Sequence, residues 1–146
     1  MTSQILQLPK IELHSHLEGT LKPELVNVIA KRNGIHVDQN LFDSHGEYAW
    51  TDFASFLSAY DAASSCLKNG NDYRDITYEY FKSCASENVI YAETFISPDH
   101  AADCGITYDD MISGCLKLEL PLLTCFESKS PRSLLIDRKL FLLLRS

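Results

Sequence analysis

The sequence lacks the features that mark several classes of protein. No apolar run approaches the roughly 20 residues that a bilayer-spanning helix needs. The first ten residues, MTSQILQLPK, have neither the basic start nor the apolar stretch of a secretory signal. The formal net charge of -7 argues against nucleic acid or an anionic membrane as a partner. We therefore predict a cytoplasmic protein that binds neither nucleic acid nor membranes.

Cysteine usage argues against two further kinds of site. The cysteines are odd in number and form no CxxC pair, so neither a disulfide framework nor a cysteine-based zinc site is indicated. The five residues are Cys66, Cys84, Cys104, Cys115 and Cys125. Reduced thiols agree with the cytoplasmic assignment.

The chain changes character near Lys117. Residues 1–117 contain 8 basic and 17 acidic side chains, whereas residues 118–146 contain 5 and 3. Leucine, serine and arginine make up 17 of the last 29 residues, and they dominate frame-shifted translation because each has six codons. We interpret 118–146 as a divergent tail, with a frameshift as its suggested origin. The alternative is an ordinary leucine-rich helix ending in LFLLLRS, although this tail shows no clean helical or strand period.

Before Lys117, short strands alternate with helices. Strands are predicted at KIELH and at VIYAETFIS, which is rich in β-branched and aromatic residues. Four helices are predicted, running from Pro23 to Gly34, from Asp52 to the NGN at 69–71, from about 72 to 87, and from a Thr107–Asp110 capping box. This order indicates an α/β fold with parallel strands. Because a (β/α)8 barrel takes roughly 250 residues, the chain would hold its first quarter or third.

Helical spacing predicts one apolar face on each of the first three helices. The positions are Leu21, Leu25, Val28 and Ile29 for the first helix; Phe53, Phe56, Leu57, Tyr60 and Leu67 for the second; and Tyr73, Ile76, Tyr80, Phe81 and Cys84 for the third.

His14 and His16 stand at the end of the first predicted strand. Strand side chains alternate, so both imidazoles project from one face and can reach a single ion. Neutral imidazole is a good zinc ligand, and a catalytic zinc usually keeps three protein ligands and a water. Gly19 allows a sharp turn and leaves space for a substrate. The alternative is a histidine pair hydrogen-bonded in an ordinary turn, although the C-terminal end of a barrel strand favours chemistry.

Four segments resemble, in the same order, the adenosine/adenine deaminase family of the amidohydrolase superfamily. They are LPKIELHSHLEGTLKPELV, FASFLSAYDAASSCL, DYRDITYEYFKSCASENVIYAETFISPDHA and ITYDDMISGC. The resemblance covers residues 5–117 and stops in the tail. It implies that 5–117 form the N-terminal, incomplete portion of a (β/α)8 TIM barrel, followed by a non-family tail at 118–146.

The resemblance also implies an activity, the hydrolytic deamination of a purine nucleoside or base with one Zn2+ per complete active site. His14 and His16 match zinc ligands, and His16, Glu18, Phe56 and Tyr60 match substrate-binding positions. The general acid and base of the family lie on later strands, so no catalytic residue is expected within this chain. We therefore expect the chain itself to be inactive.

Glu18 bears on the choice between adenosine and adenine. Adenosine deaminases commonly carry aspartate at the matching position, and enzymes acting on adenine often carry glutamate. The stretch FLSAYDAA, with Asp61, looks more like adenosine deaminases. We predict the conversion of adenosine to inosine and ammonia, with the conversion of adenine to hypoxanthine as the alternative.

Several alternatives stay open. Glu18 could be a carboxylate favoured at a helix N-terminus, and Phe56 and Tyr60 could be plain core. Glu93 is either paired inside the barrel or outward-facing. Surface or structural roles are favoured for the remaining histidines, His36, His45 and His100.

Two further readings concern the chain as a whole. It could be a truncated, non-catalytic product, or another HxH hydrolase such as a phosphoesterase. An incomplete parallel sheet has an unpaired edge, which predicts self-association.

Overall fold

The computed structural model describes residues 5, 7–117, 123–128 and 138–144, the last two segments by their backbone alone. The strands are β1 (Lys10–His16), β2 (Val89–Ile96), β3 (Leu123–Ser128) and β4 (Arg138–Leu144). The helices are α1 (Pro23–Arg32), α2 (Phe53–Ser64), α3 (Gly70–Ser86), α4 (Pro98–Asp103) and α5 (Tyr108–Leu116), with 3-10 turns at Leu17–Thr20 and Gln39–Leu41. None of the helices in these described segments is long and apolar enough to cross a bilayer.

The sheet confirms the predicted parallel pair. β1 and β2 run parallel, with Lys10 opposite Val89 and His16 opposite Phe95. The register shifts between Glu12 and Ser15, so β1 is irregular just where its histidines begin. Strand, helices and strand therefore follow one another as in the opening of an α/β barrel.

The tail contributes strands, so the alternative of a leucine-rich helix in LFLLL is wrong. β4 pairs antiparallel with β2, and β3 pairs antiparallel with β4, giving the order β1-β2-β4-β3. The free edge expected on β2 is therefore covered, and by an antiparallel neighbour rather than a barrel's parallel one. Among the described strands, β1 has a single neighbour. Self-association through that edge stays a prediction.

Helix capping agrees with the sequence at α2 and corrects it at α3. The Asp52 carboxylate accepts from Ser55 N–H at 2.7 Å, which confirms the expected N-cap, and the Ser55 side chain completes a capping box that was not predicted. The Asn69 side chain accepts from the N–H groups of Asn71 and Asp72, so it begins α3 rather than closing α2. The reason is physical, because an asparagine side chain before a helical run satisfies its first free donors.

The start of α5 follows only half of the predicted capping box. Thr107 Oγ1 accepts from Asp110 N–H at 3.2 Å. The Asp110 carboxylate turns away and accepts from Gly70 N–H at 2.7 Å, which joins α5 to α3. The same crossing leaves no room for a Cβ atom at Gly114, which lies against the Gly70 carbonyl.

In α1 and α2 the buried residues differ from the predicted ones, and several of the buried residues are small. In α1, Val26, Ile29 and Ala30 are buried, whereas Val28 is 59% exposed. In α2 the buried residues are Ala59, Ala63 and Ser64, whereas Phe53 and Phe56 are exposed. In α3 the prediction holds for Tyr73, Ile76, Phe81 and Cys84, with Tyr80 partly buried. Which side chains of a helix are buried depends on the elements that pack against it, which spacing alone cannot reveal.

Candidate active site

His14 and His16 lie together at the C-terminal end of β1. Their ring centroids are 5.4 Å apart, and both rings stack on Phe95 of the neighbouring strand β2. Strand alternation places both side chains on one face, as predicted. His14 is exposed and His16 is half-buried. The pair is therefore open to a ligand from the side on which the rings project.

The two imidazoles at this position provide some, but not all, of the ligands that a metal ion needs. Two neighbouring imidazoles can both ligate one zinc, which usually takes three protein ligands in catalytic sites. Within residues 7–117 and the other described positions, no cluster of three or more His, Cys, Asp or Glu could hold an ion. The histidine pair thus fits as the first half of a metal site, and further ligands would have to be added to it.

Glu18 lies beside the histidines and is 1% exposed. Its Oε1 accepts from Ser97 N–H at 2.9 Å and from Tyr73 Oη at 3.3 Å, and its Oε2 accepts from Tyr60 Oη at 3.4 Å. Burial raises the pKa of the carboxyl above its ordinary value, although the donors from Ser97 and Tyr73 oppose the rise. Glu18 stands in the first turn of the 3-10 helix at Leu17–Thr20, where it is a buried acceptor joining the turn after β1 to the end of β2.

Phe56 and Tyr60 lie on the side of α2 that faces the histidines. Phe56 is 38% exposed and contacts Trp50 edge-on and Phe53 by stacking, with centroids 5.6 and 6.2 Å away. Phe56 is thus part of an aromatic rim, and the plain-core alternative is wrong for it. Tyr60 is half-buried, bonds Glu18, and lies 3.3 Å from the position that a Cβ atom on Gly19 would take.

An open cavity of about 560 Å³ brings most of these side chains together. Its wall includes His14, His16, Gly19, Phe56, Tyr60 and His100. A smaller adjoining cavity of about 240 Å³ is lined by Glu18, Phe56 and Trp50 among others. All the site residues proposed from the sequence therefore meet in one region.

His100 belongs to this region, although the sequence favoured a surface or structural role for it. Its ring lies 5.4 Å from the Tyr60 ring, and its Nε2 lies 3.2 Å from Asp61 Oδ1. One signal could have identified it, since His100 stands in the first turn after β2, at the same end of the sheet as His14 and His16. His36 and His45 are exposed and line no part of the larger cavity.

Glu93 has a hydrogen-bond partner on its own strand, which does not decide between the inside and the outside of the barrel. It is half-buried on β2 and accepts a hydrogen bond of 2.8 Å from Tyr91 Oη. A partner of this kind lowers the cost of burying a carboxylate.

Comparison with known proteins agrees with this geometry. An adenine deaminase from Vibrio parahaemolyticus is 39% identical over 115 residues, which cover 78% of this chain and 34% of that protein. The crystal structure of an adenine deaminase from Arthrobacter aurescens superposes with a TM-score of 0.66 at 34% identity, covering 73% of this chain and 33% of that one. An amidohydrolase from Burkholderia ambifaria, solved with bound zinc, gives a TM-score of 0.64 at 26% identity, with coverages of 78% and 32%.

The similarity is confined to part of each protein. This chain spans about a third of the length of the relatives it matches. The solved structures confirm that the front of the chain has the mixed α/β fold of the N-terminal portion of an amidohydrolase barrel. The profile of the Adenosine deaminase family matches residues 9–118, which is most of the chain. The chain therefore belongs to the adenosine deaminase family.

Proposed function

We propose that this chain supplies the first metal ligands and part of the base pocket of a zinc-dependent deaminase that converts adenine and water to hypoxanthine and ammonia. The observation that carries the proposal is the meeting of His14, His16 and buried Glu18 at the C-terminal ends of two parallel strands. Barrel enzymes keep their chemistry on that face of the sheet. The family and the names of the relatives support the same class of reaction.

The metal would be held from this chain by the imidazoles of His14 and His16. A bound zinc supplies an acidified water, so that hydroxide is present near neutral pH. The residues of this chain would bind the purine and orient the histidine rings. Phe56 and Tyr60 line the cavity in which the flat purine would bind. The Phe95 ring stacks against both histidine rings and so holds their orientation. Proton transfer to the purine requires groups from the other two thirds of a family barrel.

Adenine is proposed over the adenosine favoured by the sequence. The relatives described above carry the name adenine deaminase, which favours the alternative. The environment of Glu18 supports the same choice. Three of the roughly four acceptor positions of its carboxylate are already used, which leaves one on Oε2. A free purine has an N–H donor on its five-membered ring for that position. A nucleoside does not, because that nitrogen bears the ribose.

The test is a chimera in which residues 1–117 replace the matching segment of the Vibrio parahaemolyticus relative. We expect it to release ammonia from adenine with a higher kcat/KM than from adenosine. His14→Ala should abolish activity and lower the bound zinc, measured by mass spectrometry of the metal. His36→Ala, which changes an exposed histidine outside the larger cavity, is the matched control and should leave both unchanged.

Two results would contradict the proposal. A folded chimera that retains zinc yet deaminates neither substrate would exclude the reaction. A preference for adenosine that survives Glu18→Gln would restore the choice made from the sequence. The chain alone should release no ammonia, which is also what the alternative of a non-catalytic product predicts.

A further inference from the structure

Helix α2 buries little apolar surface for its length. Its buried residues are Ala59, Ala63 and Ser64, whereas those of α3 include Tyr73 and Phe81. Because the free energy gained on burial scales with the apolar area removed from water, small side chains contribute less of it than aromatic ones. The position of α2 therefore depends more on specific side-chain contacts than the position of α3 does.

His100 provides two such contacts from the neighbouring helix α4. Its Nε2 lies 3.2 Å from Asp61 Oδ1, and its ring centroid lies 5.4 Å from that of Tyr60. Cys104, which directly follows α4, adds a weak hydrogen bond from its Sγ to Ser65 O at 3.9 Å. This bond lies about one helical turn after the Asp61–His100 contact on both segments, so the two segments lie side by side.

The same junction carries two of the donors to buried Glu18. Tyr60 Oη donates from α2 to Glu18 Oε2 at 3.4 Å. Ser97 N–H, directly before α4, donates to Oε1 at 2.9 Å. The Tyr60 bond is longer than the usual O–H···O hydrogen bond, so a small outward movement of α2 would break it. The position of α2 therefore decides whether Glu18 keeps this donor.

The Asp61–His100 contact is too exposed to contribute much to global stability. The Asp61 side chain is 67% exposed and that of His100 is 38% exposed. Exposed ion pairs contribute little to the free energy of unfolding, and this contact is an ion pair only when the imidazole is protonated. We therefore expect its effect in the local position of α2.

His100 is also poorly placed to bind a ligand through its ring nitrogens. Its Nδ1 is buried and has no hydrogen-bond partner among the described residues, and its Nε2 contacts Asp61. Neither nitrogen is thus both accessible and unpaired in the described part of the chain. This favours a positioning role over direct binding, although the ring lines the cavity.

We propose that His100 is a positioning residue, which holds α2 beside α4 through Asp61 and the Tyr60 ring, so that Tyr60 lines the cavity and donates to Glu18. The positioning concerns the folded chain without a ligand. Only its consequence for a purine in the cavity rests on the proposed function.

The test is amide hydrogen exchange of the full chain, measured by NMR without metal or ligand. In His100→Ala we expect residues 60–64 of α2 to exchange about fivefold faster, because the opening of α2 no longer has to break the contact. Residues 76–81 of α3 should exchange at the wild-type rate. Asp103→Ala, which removes an exposed side chain of α4, is the matched control and should leave both segments unchanged.

Two further variants connect the effect to the Asp61–His100 contact. His100→Gln keeps a side-chain donor and should retain most of the protection that His100→Ala loses. Asp61→Ala should accelerate exchange of the same amides, and the double change should accelerate it no more than His100→Ala alone. Fully additive effects would overturn the proposal.

The position of α2 also has a spectroscopic signature. Trp50 is the only tryptophan of the chain, and its ring lies edge-on to that of Phe56 on α2, with centroids 5.6 Å apart. Its fluorescence emission should shift in His100→Ala and return toward the wild-type spectrum in His100→Gln. A spectrum that is unchanged in His100→Ala would contradict a movement of α2.

Two exchange results would refute the positioning role. Equal acceleration in α2 and α3 would show that His100 contributes to general stability, and wild-type rates at residues 60–64 of His100→Ala would show that other contacts hold α2. A measurement on the wild-type chain does not depend on whether the variants fold. NMR cross-relaxation should connect the ring protons of Tyr60 and His100, and its absence would refute the contact. None of these measurements uses a substrate, so they can fail or succeed independently of the deaminase chimera.

Discussion

Asp72 and Glu18 are both buried carboxylates, but they are held by different kinds of partner. Asp72 is 0% exposed and forms a salt bridge with the guanidinium of Arg32. It also accepts from the Asn33 amide at 2.8 Å and from the backbone N–H of Lys68 at 2.7 Å. Glu18 is 1% exposed, and in the part of the chain that the structure describes it accepts from neutral donors that include two phenols and the backbone N–H of Ser97.

The difference separates a structural carboxylate from a functional one. Burying a charge is costly unless the charge is paired and hydrogen-bonded. Asp72 meets both conditions where α1, the loop before α3 and the start of α3 converge. Glu18 forms no salt bridge with any of the described residues, and burial raises its pKa. A buried carboxylate with a raised pKa and no salt bridge among the described residues, beside a cavity, is typical of a site that binds a ligand.

We expect the largest effect on stability from removing the Asp72 carboxylate together with its salt bridge and hydrogen bonds, which we call the Asp72 hub. Asp72→Ala leaves two backbone N–H groups and the Asn33 amide without their acceptor and removes one partner of Arg32. We expect the free energy of unfolding, measured with urea, to fall by about 3 kcal/mol. Asp75→Ala is the matched control, because it removes the outer partner of Arg32 and leaves Asp72 in place. Its cost should stay below about 1 kcal/mol, and equal losses would show that the hub is not special.

Neutralising Glu18 should have a much smaller effect on stability. Glu18→Gln keeps a carbonyl oxygen for Ser97 N–H and removes the cost of burying a charge. We expect the free energy of unfolding to change by less than about 1 kcal/mol in the same urea experiment. A loss as large as that of Asp72→Ala would show that Glu18 is a structural carboxylate too, and the contrast between the two sites would disappear.

Asp52 is an exposed carboxylate and serves as the reference for buried Asp72 and Glu18. Its protonation should have the smallest effect on stability of the three changes. Hydrogen bonds from the Ser55 side chain and backbone lower the pKa of Asp52 below its ordinary 3.8. Because the folded pKa is depressed, the stability that the cap contributes is complete above pH 3.8 and is lost as the pH falls through the folded value.

The acid effect can be isolated by comparing two helix caps. Between about pH 5 and about pH 3, hydrogen exchange should accelerate in the first turn of α2 beyond the intrinsic change. In Asp52→Asn the cap does not titrate, so the first turn of α2 in that variant serves as the control. Its exchange should show no such acceleration, and an acceleration that persists would assign the acid sensitivity to another group.

The sequence predicted features that depend on neighbouring residues. The parallel strands, the Asp52 cap and the shared face of His14 and His16 all follow from local spacing and alternation. The errors arose where contacts between elements decide. Val28 keeps helical spacing yet is exposed, and in α2 the alanines are buried whereas Phe53 and Phe56 are exposed. The leucines of the tail form a strand because β2 offers an edge to pair with.

By itself, the sequence determined which chemistry is available, because two imidazoles at alternate strand positions must share a face wherever the strand lies. Only the tertiary structure decided what surrounds them. Glu18 is buried because Tyr60 and Ser97, 42 and 79 residues away, supply its donors. His100 reaches the site because parallel pairing sets the end of β2 beside the end of β1. Burial and charge pairing are properties of the assembled fold, and no local pattern in the chain encodes them.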